Sequence, residues 1–304
     1  MGKRFSRSEI LDRLHSQREK KVPLLAATAG NGLMAKLIEK GGADLILVFG
    51  TGYTRMQGRP SIAEQIRPEK ELLKEMLADQ FEVTENIPLI GGISVSDYPA
   101  DADLNAIVDE VMDMGLSGIT NFQTSGMIEN SEFVRLAENS PAISASQKAQ
   151  HDGEMKLFEK ARRFKAEGLG SEREEELLKK CHERGIFTVA YTFTADQARR
   201  YVNAGADIIV GHCGGTAGGL VGHDLTLGYE EAGKRLCTIF EAAREVNPDV
   251  LIMGHGGPFW NPEATGEMYR LTGCDGFVSG SAVERIPVER AVIGAVKDFK
   301  SIVC

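Results

Sequence analysis

Several patterns that would assign a function class outright are missing from this sequence. Its five cysteines (Cys181, Cys213, Cys237, Cys274 and Cys304) are odd in number and none is spaced CxxC. That argues against a disulfide framework or a zinc ribbon and fits a reducing cytosol. No apolar run reaches the ~18 residues needed to span a bilayer, so no membrane partner is expected. Residues 1–21 carry seven Lys and Arg but no apolar stretch, so they do not read as a secretory leader. Basic residues are outnumbered, 35 Lys and Arg against 44 Asp and Glu, for a net charge of −9. Nucleic acid is therefore not an expected partner, whereas a small anionic metabolite needs only a local positive site. The turn Ala29-Gly30-Asn31-Gly32 is too short for a GxGxxG dinucleotide fingerprint.

One targeting pattern is present. Gly2 and Ser6 match the M-G-x-x-x-[ST] myristoylation signal. The same residues, 1–21, also read as a lead helix, with Ser8 as cap and Ile10, Leu11 and Leu14 on one face.

Glycine is abundant, 34 of 304 residues, and it clusters after apolar runs, as in 211-GHCGGTAGG-219 and 254-GHGGP-258. The apolar runs themselves predict strands at 23–28, 45–50, 88–94, 118–122, 186–191, 207–212, 250–255 and 276–280. Most are continuous rather than alternating, the pattern of parallel strands covered on both faces or closed into a barrel. Amphipathic segments at 31–42, 103–115, 195–205 and 229–246 predict helices between them. A signature recurs at Gly42-Ala43-Asp44, Gly115-Leu116-Ser117, Gly205-Ala206-Asp207 and Gly273-Cys274-Asp275. In each, glycine closes a helix and the strand follows. Eight predicted strands with helices between them, in a single domain over 1–304, predict an α/β fold of the (β/α)8 TIM-barrel class, with a doubly wound open sheet as the alternative. Residues 123–185 have no strand pattern and form an enlarged helical excursion after the fourth strand. It is either a lid or oligomer contact over the barrel mouth, or a solvated helical hairpin.

Barrel chemistry sits at the C-terminal ends of the strands. His212 and His255 both end an apolar strand in Gly-His, and their strands are neighbours. Together they suit proton transfer near pH 7, although each could instead be a structural histidine. Asn121, Gln123 and Tyr191 stand at the ends of the fourth and fifth strands, where they would polarise an oxygen. The loops at Gly256–Gly257 and Gly280–Ser281 resemble the phosphate site that many barrels share. There Ser281 and Glu284 are spaced as a capping box for a short helix, ahead of Pro287 and a last helix over 288–300. Gly30 lies in the first loop. Tyr53 and Arg55 lie in a predicted non-helical loop, 50–61, that could hold an anion. No lysine stands at a strand end, which disfavours a Schiff base. Asp97 is the only evident acid there, so the residues predict no metal cage.

The segments 26-AATAGNGLMAKLIEKGGADLILVFGTGYTRMQGRPS-61, 118-GITNFQTSGMI-128, 204-AGADIIVGHCGGT-216, 254-GHGGP-258 and 279-SGSAVERIPVE-289 resemble the phosphoenolpyruvate hydrolase-like family. Its members are also labelled TIM-barrel signal transduction proteins, within the phosphoenolpyruvate/pyruvate barrel superfamily. The resemblance runs from about Ser8 to Lys300. It implies a barrel with its mouth at these loops, a homo-oligomer, and, from the wider superfamily, a divalent metal such as Mg²⁺ held by acids at strand ends. Here Gly91, Gly92 and Ser94 surround the third strand instead. The function expected is hydrolase or lyase chemistry on a small anionic oxoacid or phosphoenol substrate, with paired histidines as acid and base. The alternative is a non-catalytic ligand sensor or signal transduction protein.

Overall fold

The structure is a computed structural model and describes residues 3–62, 67–142, 144–223 and 226–303. Gly2, the centre of the lipidation pattern, and Cys304 lie outside the described residues. The eight strands are β1 (Leu24–Thr28), β2 (Leu45–Val48), β3 (Leu89–Gly92), β4 (Gly118–Thr120), β5 (Phe187–Thr192), β6 (Ile208–His212), β7 (Leu251–His255) and β8 (Gly276–Ser279). They pair in parallel, in sequence order, and β8 closes onto β1. The closed barrel excludes the open doubly wound sheet. The helices are α1 (Arg7–Glu19), α2 (Gly32–Lys40), α3 (Gly50–Met56), α4 (Glu69–Val83), α5 (Leu104–Met112), α6 (Ser131–Glu138), α7 (Ala145–Ala166), α8 (Ser171–Glu183), α9 (Ala195–Asn203), α10 (Tyr229–Val246), α11 (Pro262–Thr272) and α12 (Arg285–Lys300). None is long and apolar enough to cross a membrane.

The recurring Gly-x-[Asp/Ser] signature has two physical parts. Gly42, Gly115, Gly205 and Gly273 adopt φ of 85°, 96°, 92° and 59°, which close α2, α5, α9 and α11 at little steric cost. The polar residue two positions on then clamps a neighbour. Asp44 accepts from the Leu25 N–H at 2.8 Å, Asp207 from Thr188 at 2.9 Å and Asp275 from Ile252 at 2.9 Å. Each aspartate opens an even-numbered strand and holds the start of the odd strand before it. Ser117 differs, because it accepts from the Phe5 N–H at 3.0 Å and so holds the N-terminal segment.

That segment stops the lower end of the barrel. Phe5, Ile10 and Leu14 are buried against interior residues including Leu24, Leu45, Ile90, Phe187 and Leu251. Arg7 pairs with Asp207 at 2.7 Å. The cap of this helix is Ser6 rather than Ser8, because Ser6 and Glu9 satisfy each other's backbone N–H in a capping box. Residues 50–56, expected as a loop, form α3. The backbone N–H of its first residue, Gly50, is taken up by the buried Glu69 carboxylate. The excursion is folded onto the mouth: Gln150, Glu154 and Leu157 of α7 line the same cavity as the strand-end histidines. It is not a solvated hairpin.

Candidate functional site

His212 and His255 are register partners on β6 and β7, with ring centroids 4.7 Å apart. Their Nδ1 atoms are committed in opposite senses. His212 Nδ1 accepts from the Gly214 N–H at 2.9 Å, so its proton resides on Nε2. His255 Nδ1 donates to the Val278 carbonyl at 2.7 Å, so its Nε2 carries a lone pair. One ring offers the site a donor and the other an acceptor. Burial pushes His255 down to about 4. Burial, with His255 beside it, holds His212 well below the usual histidine range. Both rings are neutral at pH 7.

Aromatic walls enclose the pair. Phe193 stacks on His212 at 4.6 Å, and Tyr191 stands edge-on to His255 at 5.3 Å. The cavity they bound holds about 80 Å³, well above the ~10–15 Å³ needed to admit a water. Three buried atoms of residues on its wall have no partner among the described residues: the Tyr191 hydroxyl, Gln123 Nε2 and Arg285 Nε. Each can donate a hydrogen bond. Buried donors left over in this way mark where an acceptor belongs, and the shared requirement is an anionic or carbonyl oxygen. Gly280 and Ser281 line the same wall.

Arg55 also reaches the cavity, but its charge is already answered. Its Nε meets Glu284, and its Nη2 donates to Thr28 Oγ1 at 2.6 Å. Glu284 also accepts from the Gly30 N–H at 2.6 Å and is fully buried. Gly30 and Glu284 are thus braces for Arg55. The expected capping box does not form: residues 281–284 are turns, Glu284 reaches over the end of β1 to Arg55, and α12 begins at Arg285. Pro287 stays in the first turn of that helix, as its missing N–H permits.

Other expected site residues are placed elsewhere. Asn121 is committed to Glu174 at 2.7 Å and to the backbone of Tyr191. Glu174 gathers Thr124, Ser125 and Tyr201 as well, and so fixes the loop after β4. Tyr53 points outward to Glu75 at 2.9 Å. Gly256, at φ 77°, passes so close to the Gly214 carbonyl that a Cβ would come within 2.1 Å of it. The Gly257 N–H donates to the same carbonyl at 3.0 Å. These two glycines brace the loop that holds His212 and do not line the cavity.

The excursion adds residues that the sequence did not single out. Glu154 faces His223 at 3.3 Å, both on the cavity wall. Burial raises Glu154 to about 8 and lowers His223 to about 4. The pair is therefore neutral at pH 7, with its proton on the carboxyl. A second, wider cavity of about 350 Å³ adjoins through Gln123 and Leu157, with Arg67, Asp97 and Lys160 at its edge.

The donor set does not suit a Mg²⁺ cage. Gly91, Gly92 and Ser94 supply no carboxylate at β3. Asp97 is held by Lys160 at 2.6 Å and by the Glu69 N–H at 2.9 Å. Among the described residues no three His, Cys, Asp or Glu side chains converge. Cys213 does not join the histidines either, since its thiol contacts the Ala232 carbonyl on the outer side of β6.

A family model described as phosphoenolpyruvate hydrolase-like matches residues 9–146 and 152–302. The tomato (Solanum lycopersicum) protein named "ToMV susceptible protein tm-1(GCR26)" is 31% identical over 296 residues, covering 96% of this chain and 35% of that protein. The chain thus spans about a third of the length of this relative. An oxaloacetate acetylhydrolase structure matches with a TM-score of 0.57 at 12% identity, covering 98% of this chain and 88% of that one. A phosphonopyruvate hydrolase solved with oxalate and Mg²⁺ matches at 0.53 and 16%, covering 97% and 85%. At these identities the two structures speak for the shared barrel fold.

Proposed function

The chain belongs to the phosphoenolpyruvate hydrolase-like family, and from that premise we propose that it is a hydrolase or lyase acting on a small anionic oxoacid or phosphoenol compound. The observation that carries this reading is the pair of opposite Nε2 states on His212 and His255. A pocket built only to bind an anion needs donors. It does not need a desolvated neutral imidazole lone pair among them.

In this reading Arg285 Nε and Gln123 Nε2 take the oxygens of the substrate's anionic group. Tyr191 and His212 Nε2–H point donors at the oxygen where charge develops, and a neutral histidine serves as such an electrophile without giving up its proton. His255 Nε2 is the base. In hydrolysis it takes a proton from water as the water oxygen attacks, and in cleavage of a β-hydroxy or hydrated oxoacid it takes the hydroxyl proton. In both cases the proton then passes from His255 to the leaving group. No step is routed through a metal, since the strand-end donors do not fit one. Cys181, Cys213, Cys237 and Cys274 are free thiols, which supports a cytoplasmic setting as part of the same proposal.

The test is a thermal-shift panel of oxoacids and small phosphates, followed by turnover assays on every compound that stabilises the protein. His255→Asn is expected to lower kcat at least about 10²-fold with an unchanged melting temperature. Stabilisation by a ligand with no turnover of any panel member would support the sensor reading instead.

A further inference from the structure

The inner cavity is not polar all round. On the side of β8, β1 and β2 its wall is Ser281, Arg285, Thr28 and Arg55. On the side of β4 and β5 its wall is Met127, Phe133 and Phe193, with Leu157 of the roof helix α7 above them. In a closed eight-stranded barrel β4 and β5 stand opposite β8 and β1, so these are two facing halves. Phe49 and Phe122, stacked with ring centroids 4.1 Å apart, lie at the base of both. His212 and His255, on β6 and β7, stand between the polar half and the apolar one.

The apolar half is held in shape. Phe193 stacks on His212, and Phe133 stands edge-on to both rings, 5.1 Å from Phe193 and 5.7 Å from His212. Phe158 and Val134 pack behind them. Polar groups on this half are spent or lie at its margin. Thr124 Oγ1 donates to Glu174 at 2.7 Å, and Gln123 borders the wider outer cavity as well. Charge is limited too. Among the described residues of the wall the lysines and arginines are Arg55 and Arg285 alone, and each already faces a carboxylate, Glu284 for the first and Glu289 at 2.6 Å for the second. The unpartnered donors can hold one anionic group, but no cation stands on the apolar half to receive another.

We propose that the apolar half is a subsite for an alkyl chain, so that the ligand is a 2-oxo monocarboxylate with a short apolar chain and not a dicarboxylate. The proposal rests on the reading of this site as one for a small oxoacid, and it narrows that class. The anionic head takes the unpartnered donors, and the chain lies against Met127, Phe133 and Leu157, beside the ring that Phe193 and His212 form together. A second carboxylate placed there would lose its water and gain no partner. An alkyl chain gains instead, because each methylene removed from water tightens binding about fourfold.

Isothermal titration of the full chain with pyruvate, 2-oxobutyrate, 2-oxovalerate and 2-oxohexanoate tests it, with 2-oxoglutarate as the match of 2-oxovalerate that carries a second carboxylate. Kd is expected to fall about fourfold per added methylene from pyruvate onward, until the cavity of about 80 Å³ is full. 2-Oxoglutarate is expected to bind at least about tenfold more weakly than 2-oxovalerate. Affinity that does not rise from pyruvate to 2-oxobutyrate overturns the proposal, as does a dicarboxylate that binds as tightly as its match, or failure of every monocarboxylate to bind. Phe133→Ala lengthens the subsite and should move the tightest binder at least one carbon along the series; an unmoved optimum in the folded variant removes Phe133 from the subsite and overturns its placement. Should that variant not fold, the wild-type series still decides. Turnover is read separately. The expected ladder without turnover supports the subsite and counts against the enzyme, whereas turnover of dicarboxylates alone supports the enzyme and overturns the subsite.

Discussion

Tyr191 stands edge-on to His255 with ring centroids 5.3 Å apart, and its buried hydroxyl has no partner among the described residues. Burial holds that phenol far above its usual range, so it stays a donor at every working pH. The site thus sets one donor with no protein acceptor beside one base with no proton.

Tyr191→Phe removes that donor and little else. With a substrate in hand, kcat is expected to fall on the order of 10²-fold with KM nearly unchanged, as for loss of one oxyanion donor. The melting temperature should hold or rise, because an unsatisfied buried hydroxyl worth about 1 kcal/mol or more has been removed. A rise in KM at constant kcat would instead give Tyr191 a ground-state binding role.

The buried pair of Arg55 and Glu284 makes a prediction about stability. Arg55→Met leaves Glu284 charged and unpaired, and urea unfolding should show a loss of about 3–5 kcal/mol. Adding Glu284→Gln should recover most of it, since the uncompensated charge is then gone. If the double variant is no more stable than Arg55→Met alone, the charge pairing is not what holds these two side chains.

Stability should peak near neutrality and fall on both sides. His255 and His223 lie at about 4 in the fold, below the ~6.5 of a free histidine. Acid therefore protonates the unfolded chain first. Stability present above ~6.5 is lost as pH falls toward 4, each histidine contributing on the order of 3 kcal/mol. Glu69 behaves oppositely. Burial lifts it from 4.5 to about 8, so its contribution is full below 4.5 and is lost as pH rises from there to 8. Urea midpoints against pH check this: Glu69→Gln should make the fall between neutrality and pH 8 shallower, leaving the share of Glu154, which burial also lifts to about 8.

Much of the scaffold was legible because its signals are local. The apolar runs, the closing glycines and the strand-end histidines can be read from neighbours in sequence, and the closed barrel carries all of them. The excursion was legible as helical, but not as a roof, because Glu154 and His223 are 69 residues apart along the chain and look like ordinary surface residues one at a time. Glu284 shows the opposite error. Its spacing from Ser281 satisfied a local capping rule, yet Arg55, distant in sequence, offers a stronger partner. A buried charge pair between neighbouring loops overrides a cap that solvent can replace.

Glu154 gives a binding prediction. When it ionises near 8 it places negative charge on the cavity wall. Affinity for a small dicarboxylate such as oxalate should then fall above that pH by up to about tenfold per unit. Glu154→Gln should remove the limb, as isothermal titration across pH would show. An unchanged pH profile would mean that Glu154 does not sense the ligand.

The stopper at the other end of the barrel sets the traffic. With Phe5, Ile10 and Leu14 filling the lower end of the barrel, the cavity is closed on that side, and α7 stands over its mouth. Whatever enters or leaves does so at the strand-end side, in a cavity of about 80 Å³ that has room for one small occupant. Departure of one occupant therefore gates arrival of the next. A product that lingers competes directly with substrate, and the roof, not the barrel, governs how often the cavity empties.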